Sequence, residues 1–104
     1  MDVLSYIKRL VIRGSMRFTE KARDELETDD LTANDIAESI VNADEIYKVI
    51  RSRHPQHSGE KLYVIKSTNF EGTCIYTKGA IRRLEEREVF YVFISSKIDR
   101  ARWD

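Results

Sequence analysis

Cysteine, proline and glycine are scarce in this chain: one cysteine, one proline and four glycines among 104 residues, with no long apolar run. A single Cys74 can close no internal disulfide and build no thiolate zinc cluster, which points to a reducing cytoplasm. The first apolar stretch, Val3 to Ile7, is broken at once by Lys8 and Arg9, so neither a signal peptide nor a membrane span is expected. Gly72 and Gly79 are isolated and lack phosphate-loop spacing. His54 and His57 have no accompanying ligand set, so neither a metal nor a cofactor is expected. Cys74, placed inside a strand, reads as a small buried group rather than a nucleophile. Glu85-Glu86 fall in a charged turn, which disfavours a glycosidase-type carboxylate pair.

Net charge is lacking too, since 18 basic side chains balance 18 acidic ones. Neutrality alone argues against nucleic acid, but the charges are segregated. From Thr19 to Glu45 ten acids face two bases, whereas from Ile46 to Arg83 eight bases face two acids. A chain polarised in this way can still bind an anion locally. The acidic surplus reads as the solvated outer face of two helices or as a docking face for a basic partner.

What is present, 41% hydrophobic and 35% charged residues, suits one globular domain over residues 1–104. Val3, Leu4, Ile7 and Val11 recur at helical spacing before Gly14, predicting a first helix. Met16-Arg17-Phe18 reads as a short extended link. Thr19 caps a second helix through Glu27, and Thr32 with Asp35 forms a capping box for a third. From Asp44 the period changes to two. Strands are predicted at Glu45–Arg51, Lys61–Thr68, Thr73–Lys78 with continuation to Leu84, and Val89–Ile98. The stretch Ala80–Arg87 also fits a helical turn, and the strand is favoured. Short joints at Pro55–Gly59, Asn69–Gly72 and Glu85–Glu88 imply antiparallel neighbours. The expected fold is therefore α+β: three N-terminal helices packed on one face of a four-stranded antiparallel sheet. Trp103 either packs back on the domain or touches a partner.

Alternation puts Lys48 on a face with Ile46 and Ile50, and Tyr47, Val49 and Arg51 on the other. Lys66 follows Leu62 and Val64, and Lys78 follows Cys74 and Tyr76, while Tyr63 points to the helix side. Lys48, Arg51, Arg53, His54, His57, Lys66, Tyr76, Lys78 and Lys97 all come from the strand half. Strands lie about 5 Å apart, so side chains on one face can converge on a phosphate. Cations would stabilise a developing phosphorane, and a tyrosine, histidine or neutralised lysine would move protons. The catalytic candidates are Lys48, Lys66, Tyr76 and Lys78, and the substrate-binding candidates are Arg51, Arg53, His54 and Lys97.

Several strings resemble a known group. Phe18-Thr19-Glu20-Lys21-Ala22, Leu26, Leu31-Thr32 and Asp35-Ile36 resemble small bacterial domains of the RelE/ParE-like toxin superfamily, many of which carry histidine where this chain has Lys21. Ile7 to Val11 with Gly14 and Arg17, and Glu45-Ile46-Tyr47-Lys48, resemble the MqsR toxins. The resemblance implies a RelE-like fold and a type II toxin that cleaves mRNA without metal, the 2′-hydroxyl attacking the adjacent phosphate. It implies a cognate antitoxin with a zinc-binding module and a helix-turn-helix, and it matches the strand lysine of MqsR to Lys48. Val64 and Ala80 stand where MqsR toxins have a glutamine and a tyrosine, and Tyr76 or Tyr91 would replace that phenol if the sheet brought one beside Lys48. The alternatives are a non-catalytic RNA-binding or protein-interaction module on the same fold, and a ParE-like gyrase inhibitor.

Overall fold

Three helices, each opened by a side-chain cap, precede most of the sheet. The computed structural model describes residues 2–84 and 87–101; the expectations for Glu85-Glu86 and for Trp103 fall outside them. Helix α1 spans Val3–Ile12, with Asp2 accepting from the Ser5 N–H at 2.8 Å. It stops because Gly14 adopts φ +80°, which lets the Ser15 N–H donate back to the Leu10 carbonyl at 2.8 Å. Helix α2 spans Glu20–Thr28 behind Thr19, and α3 spans Ala33–Asn42 behind the capping box of Thr32 and Asp35. Asp35 also accepts from the Asn69 amide at 3.1 Å, tying that cap to the turn between two strands.

Strands β1 (Met16–Phe18), β2 (Lys48–Arg51), β3 (Lys61–Thr68), β4 (Cys74–Leu84) and β5 (Glu88–Ile98) form one sheet in the order β1-β5-β4-β3-β2. The expectation of a four-stranded antiparallel sheet is corrected here. The sheet has five strands and is mixed, because β1 pairs in parallel with β5, Met16 opposite Tyr91 and Phe18 opposite Phe93. A parallel pair joins residues far apart in sequence, and three residues are too few to show a period of two. β2 is also shorter than expected: Ile46 precedes the strand and packs against the helix-side core, so it does not share a face with Lys48. Cys74 opens β4 rather than standing inside it, and is half-buried.

The helices bury Ile7, Leu10, Val11, Ala22, Leu26, Ile36 and Ile40 against Tyr63, Ile65, Ile75, Tyr91 and Phe93 of the sheet. Tyr63 thus lies beneath the helices, as its alternation predicts. Beyond Phe18, α2 takes over the edge of β5. Glu25 accepts from the Ser96 N–H at 3.0 Å and Asp29 from the Ile98 N–H at 2.8 Å, satisfying backbone donors that β1 is too short to reach. Part of the acidic surplus is therefore structural. Among the described residues no helix is long and apolar enough to cross a membrane.

Candidate nucleic-acid interface

The residues that alternate with the core positions build the other face of the sheet. Lys48, Val64, Lys78 and Ser95 are successive Cα partners across β2 to β5, and Lys66, Tyr76 and Lys97 are partners across β3 to β5. Paired residues point to the same side. Lys48, Lys66, Tyr76, Lys78 and Lys97 consequently rise from one face. Lys97 is there because of a bulge: Lys78 pairs with Ser95 while Gly79 pairs with Phe93, so Ile94 is an extra residue in β5. Such an insertion resets the alternation. Without it, Lys97 would follow Tyr91 and Phe93 toward the helices.

This face holds two hollows. The larger, of about 960 Å³, has an apolar floor of Ile50, Leu62 and Ile94, and its rim includes Arg51, Arg53, His54, His57, Lys78 and Arg82. The smaller, of about 360 Å³, is bordered by Lys66, Tyr76, Lys97, Asp99 and Arg100. The sequence candidates are thus divided. Arg51, Arg53, His54 and Lys78 meet in the first hollow, and Lys66, Tyr76 and Lys97 in the second. Lys48 borders neither and is exposed at the outer edge of the sheet.

The condition on which Tyr76 or Tyr91 would supply the phenol, a ring beside Lys48, is not met. Tyr91 is fully buried on the helix side, its hydroxyl donating to the Tyr63 carbonyl at 3.5 Å, and burial raises its pKa. Tyr76 is on the open face, but β3 lies between its strand and that of Lys48. Neither ring stands beside Lys48. Tyr47, assigned by alternation to the opposite face, precedes β2, and its exposed ring sits 4.4 Å from the Lys66 Nζ on this face. Arg51, likewise assigned away from Ile50, borders the larger hollow from the sheet edge.

The rim of the larger hollow is held in place by local bonds. Pro55 opens a short 3-10 helix, Pro55–His57. The His54 N–H donates to Ser52 Oγ at 3.1 Å, and the Gln56 N–H donates to His54 Nδ1 at 3.2 Å. With Nδ1 accepting, the neutral imidazole carries its proton on Nε2. The His57 N–H donates to the His54 carbonyl at 2.9 Å, and the two rings lie 5.6 Å apart. Arg51 donates to the Gly59 carbonyl at 2.9 Å, closing the loop back on its strand. Glu60, the nearby carboxylate, is occupied by both nitrogens of the Arg82 fork at 2.9 Å. Burial, followed by the charge of Lys21, lowers the Lys78 pKa, while Glu25 opposes the change. Tyr76 is shifted upward by burial and then by Glu25 and Asp99, so its phenol stays protonated as a donor.

An oxyanion bound here would meet guanidinium, ammonium and imidazole groups above an apolar floor, an arrangement able both to hold charge and to exchange protons. Arg82 belongs to this rim but was not among the sequence candidates, and His57, grouped with the cations of the strand half, was not carried into the substrate-binding set. Arg82 shares the alternation of Lys78 along β4, a signal present in the sequence; His57 required the turn at Pro55. Among the described residues no three His, Cys, Asp or Glu side chains gather to hold a metal ion. No protein-family model, curated protein or solved structure matches this chain.

Proposed function

We propose that this chain is a metal-independent RNA endonuclease centred on the larger hollow. The observation that supports the reading is the pair of imidazoles, His54 and His57, 5.6 Å apart on a rim that also carries Arg51, Arg53 and Lys78. In the reaction, the ribose 2′-oxygen bonds to the adjacent phosphorus and the bond from phosphorus to the 5′-oxygen breaks. His57, or Lys78 in its neutral form, takes the 2′-hydroxyl proton, because the proton on Nε2 bars the neutral His54 ring from accepting one, and a protonated imidazole gives a proton to the leaving 5′-oxygen. Arg51, Arg53 and the remaining ammonium groups bear on the phosphorane charge. The products are a 2′,3′-cyclic phosphate and a 5′-hydroxyl.

The resemblance to MqsR toxins extends this reading to a role. On it, the chain is the toxin of a type II toxin–antitoxin pair, cuts mRNA in the cytoplasm, and is neutralised by an antitoxin bearing a zinc-binding module and a helix-turn-helix. A second reading, RNA binding without cleavage, is favoured by one observation: Lys48, the lysine assigned by that resemblance, stands apart from both hollows.

The test is incubation of purified protein with a long RNA in excess chelator, followed by mapping of the new ends. Cyclic-phosphate ends that disappear in His54→Ala and His57→Ala support the nuclease. Intact RNA that nonetheless binds the protein leaves the second reading, and intact RNA without binding removes both.

A further inference from the structure

Tyr47 is an aromatic ring left 55% exposed where the neighbouring surface is cationic. It lies just before β2, and its ring is 4.4 Å from the Lys66 Nζ and 5.9 Å from the Lys48 Nζ. One rung further in, the ring of Tyr76 lies 5.6 Å from the Lys97 Nζ and forms a wall of the smaller hollow. Lys66 and Tyr76 are direct Cα partners, as are Tyr76 and Lys97. Two phenol rings and three ammonium groups therefore alternate across this end of the face: Lys48, Tyr47, Lys66, Tyr76, Lys97. The Lys78 rung, at the larger hollow and with the backbone of Lys48 at its outer end, is two residues along the strand from the Tyr76 rung, about 7 Å.

That alternation has a chemical counterpart. A phosphodiester chain presents charge and a flat ring at every step, and a protein that binds it single-stranded meets the charge with lysine or arginine and the ring with an aromatic face. In a duplex the bases are already stacked on one another, so an aromatic side chain on a flat sheet face cannot reach them. A surface made for phosphate alone would need the lysines and not the rings.

We infer that Tyr47 and Tyr76 are stacking platforms for unpaired bases and restrict the ligand of this face to single-stranded nucleic acid. The strand runs from Tyr47 and Tyr76 toward the larger hollow, its phosphates meeting Lys48, Lys66, Lys97 and then Lys78. Lys48 thereby acquires a part in holding the strand, away from the reacting phosphate. This deepens the RNA reading and rests on it for the identity of the ligand.

The experiment uses a short 2′-O-methyl RNA, whose blocked 2′-oxygen prevents cleavage, as a single strand and as a duplex with its complement. Binding of each to the full chain is followed by fluorescence anisotropy, and cleavage of unmodified RNA is measured separately. The single strand is expected to bind tighter than the duplex. Tyr47→Ala should weaken single-strand binding by about 5- to 100-fold, and Tyr47→Phe, which keeps the ring, should bind nearly as wild type. Thermal melting checks the variants; because this side chain is exposed and outside a strand, both should melt with the wild type. Should Tyr47→Ala lose its melting transition, Tyr47→Leu, which removes the flat ring and keeps bulk, replaces it with the same expected loss. Equal binding of duplex and single strand overturns the inference. So does unchanged binding by the ring-deleted variant, or equal loss in Tyr47→Ala and Tyr47→Phe. Ring-dependent binding together with uncut natural RNA supports this inference while removing the nuclease reading. No binding of either form removes this inference together with any RNA reading.

Discussion

The ring of Tyr91 lies across Gly79 so closely that a Cβ on Gly79 would sit 2.5 Å from Tyr91 Cζ and 2.6 Å from its hydroxyl. This glycine is required for space rather than for an unusual backbone angle. The crossing lies beside the bulge, where Gly79 pairs with Phe93 and Lys78 with Ser95, so the packing that fits Tyr91 into the core borders the irregularity that turns Lys97 outward.

Gly79→Ala should therefore destabilise the fold by overpacking, by about 1–3 kcal/mol. Urea unfolding of the two proteins measures it. Tyr91→Phe should not rescue the variant, because the ring carbons are as close as the hydroxyl. An unchanged unfolding midpoint would show that the ring moves aside at no cost.

The carboxylates along the β5 edge make stability depend on pH. Burial by itself would raise the Glu25 pKa, but hydrogen bonds from Ser95 Oγ, the Ser96 N–H and Lys21 bring it below the ordinary glutamate value. Asp29 is lowered by the Arg100 fork against the opposing effect of burial, with help from the Ile98 N–H. A lowered folded pKa means that the folded state binds the proton less readily than the unfolded chain. The contribution is thus complete above the ordinary carboxylate range and lost as pH falls through the folded values. Urea midpoints should drop from neutral pH into that acidic range, and Glu25→Gln and Asp29→Asn should show a flatter profile from a lower start. Each substitution should cost about 1.5–3 kcal/mol near neutrality, the value of a hydrogen bond to a charged group. Equal slopes in wild type and both variants would contradict the assignment.

On the nuclease reading, Lys78 and Lys48 should separate kinetically. Lys78→Ala removes an ammonium from the rim of the larger hollow and is expected to slow cleavage by about 100-fold or more, the usual loss for one charge-stabilising donor. Lys48→Ala should mainly weaken RNA binding, and saturating RNA should restore most of its rate. Single-turnover cleavage at several protein concentrations distinguishes the two. The reverse ranking would return the chemistry to Lys48.

Salt should count the phosphates this face contacts. Affinity for single-stranded RNA falls with a slope of about −0.7 in log–log form for each phosphate neutralised. Arg53→Ala should make the slope shallower by about that amount. A slope identical to wild type would mean that Arg53 faces no phosphate, and an unchanged affinity would remove it from the interface.

Local chemistry was legible residue by residue. Thr19, Thr32 and Gly14 announce helix ends because caps act within three or four residues, and β3 begins and ends where its alternation does. The open-face position of Lys78 follows from the same alternation, whereas Arg51 joins it from the sheet edge and Arg53 and His54 from the loop after β2. Hidden from the sequence were features that depend on distant partners. β1 is a strand only because β5 lies beside it. Tyr47 falls outside the alternation because β2 starts at Lys48, three residues later than the predicted Glu45.

By itself the sequence determined the three helices, three long strands and the approximate place of a shorter one, the segregation of charge and the helix-side position of Tyr63, all of which rest on local periodicity, capping and composition. The tertiary structure alone decided the parallel β1–β5 pair, the bulge at Ile94 that puts Lys97 on the open face, and the division of the candidate residues between two hollows. Those depend on nonlocal register, and a single inserted residue reverses every side chain beyond it.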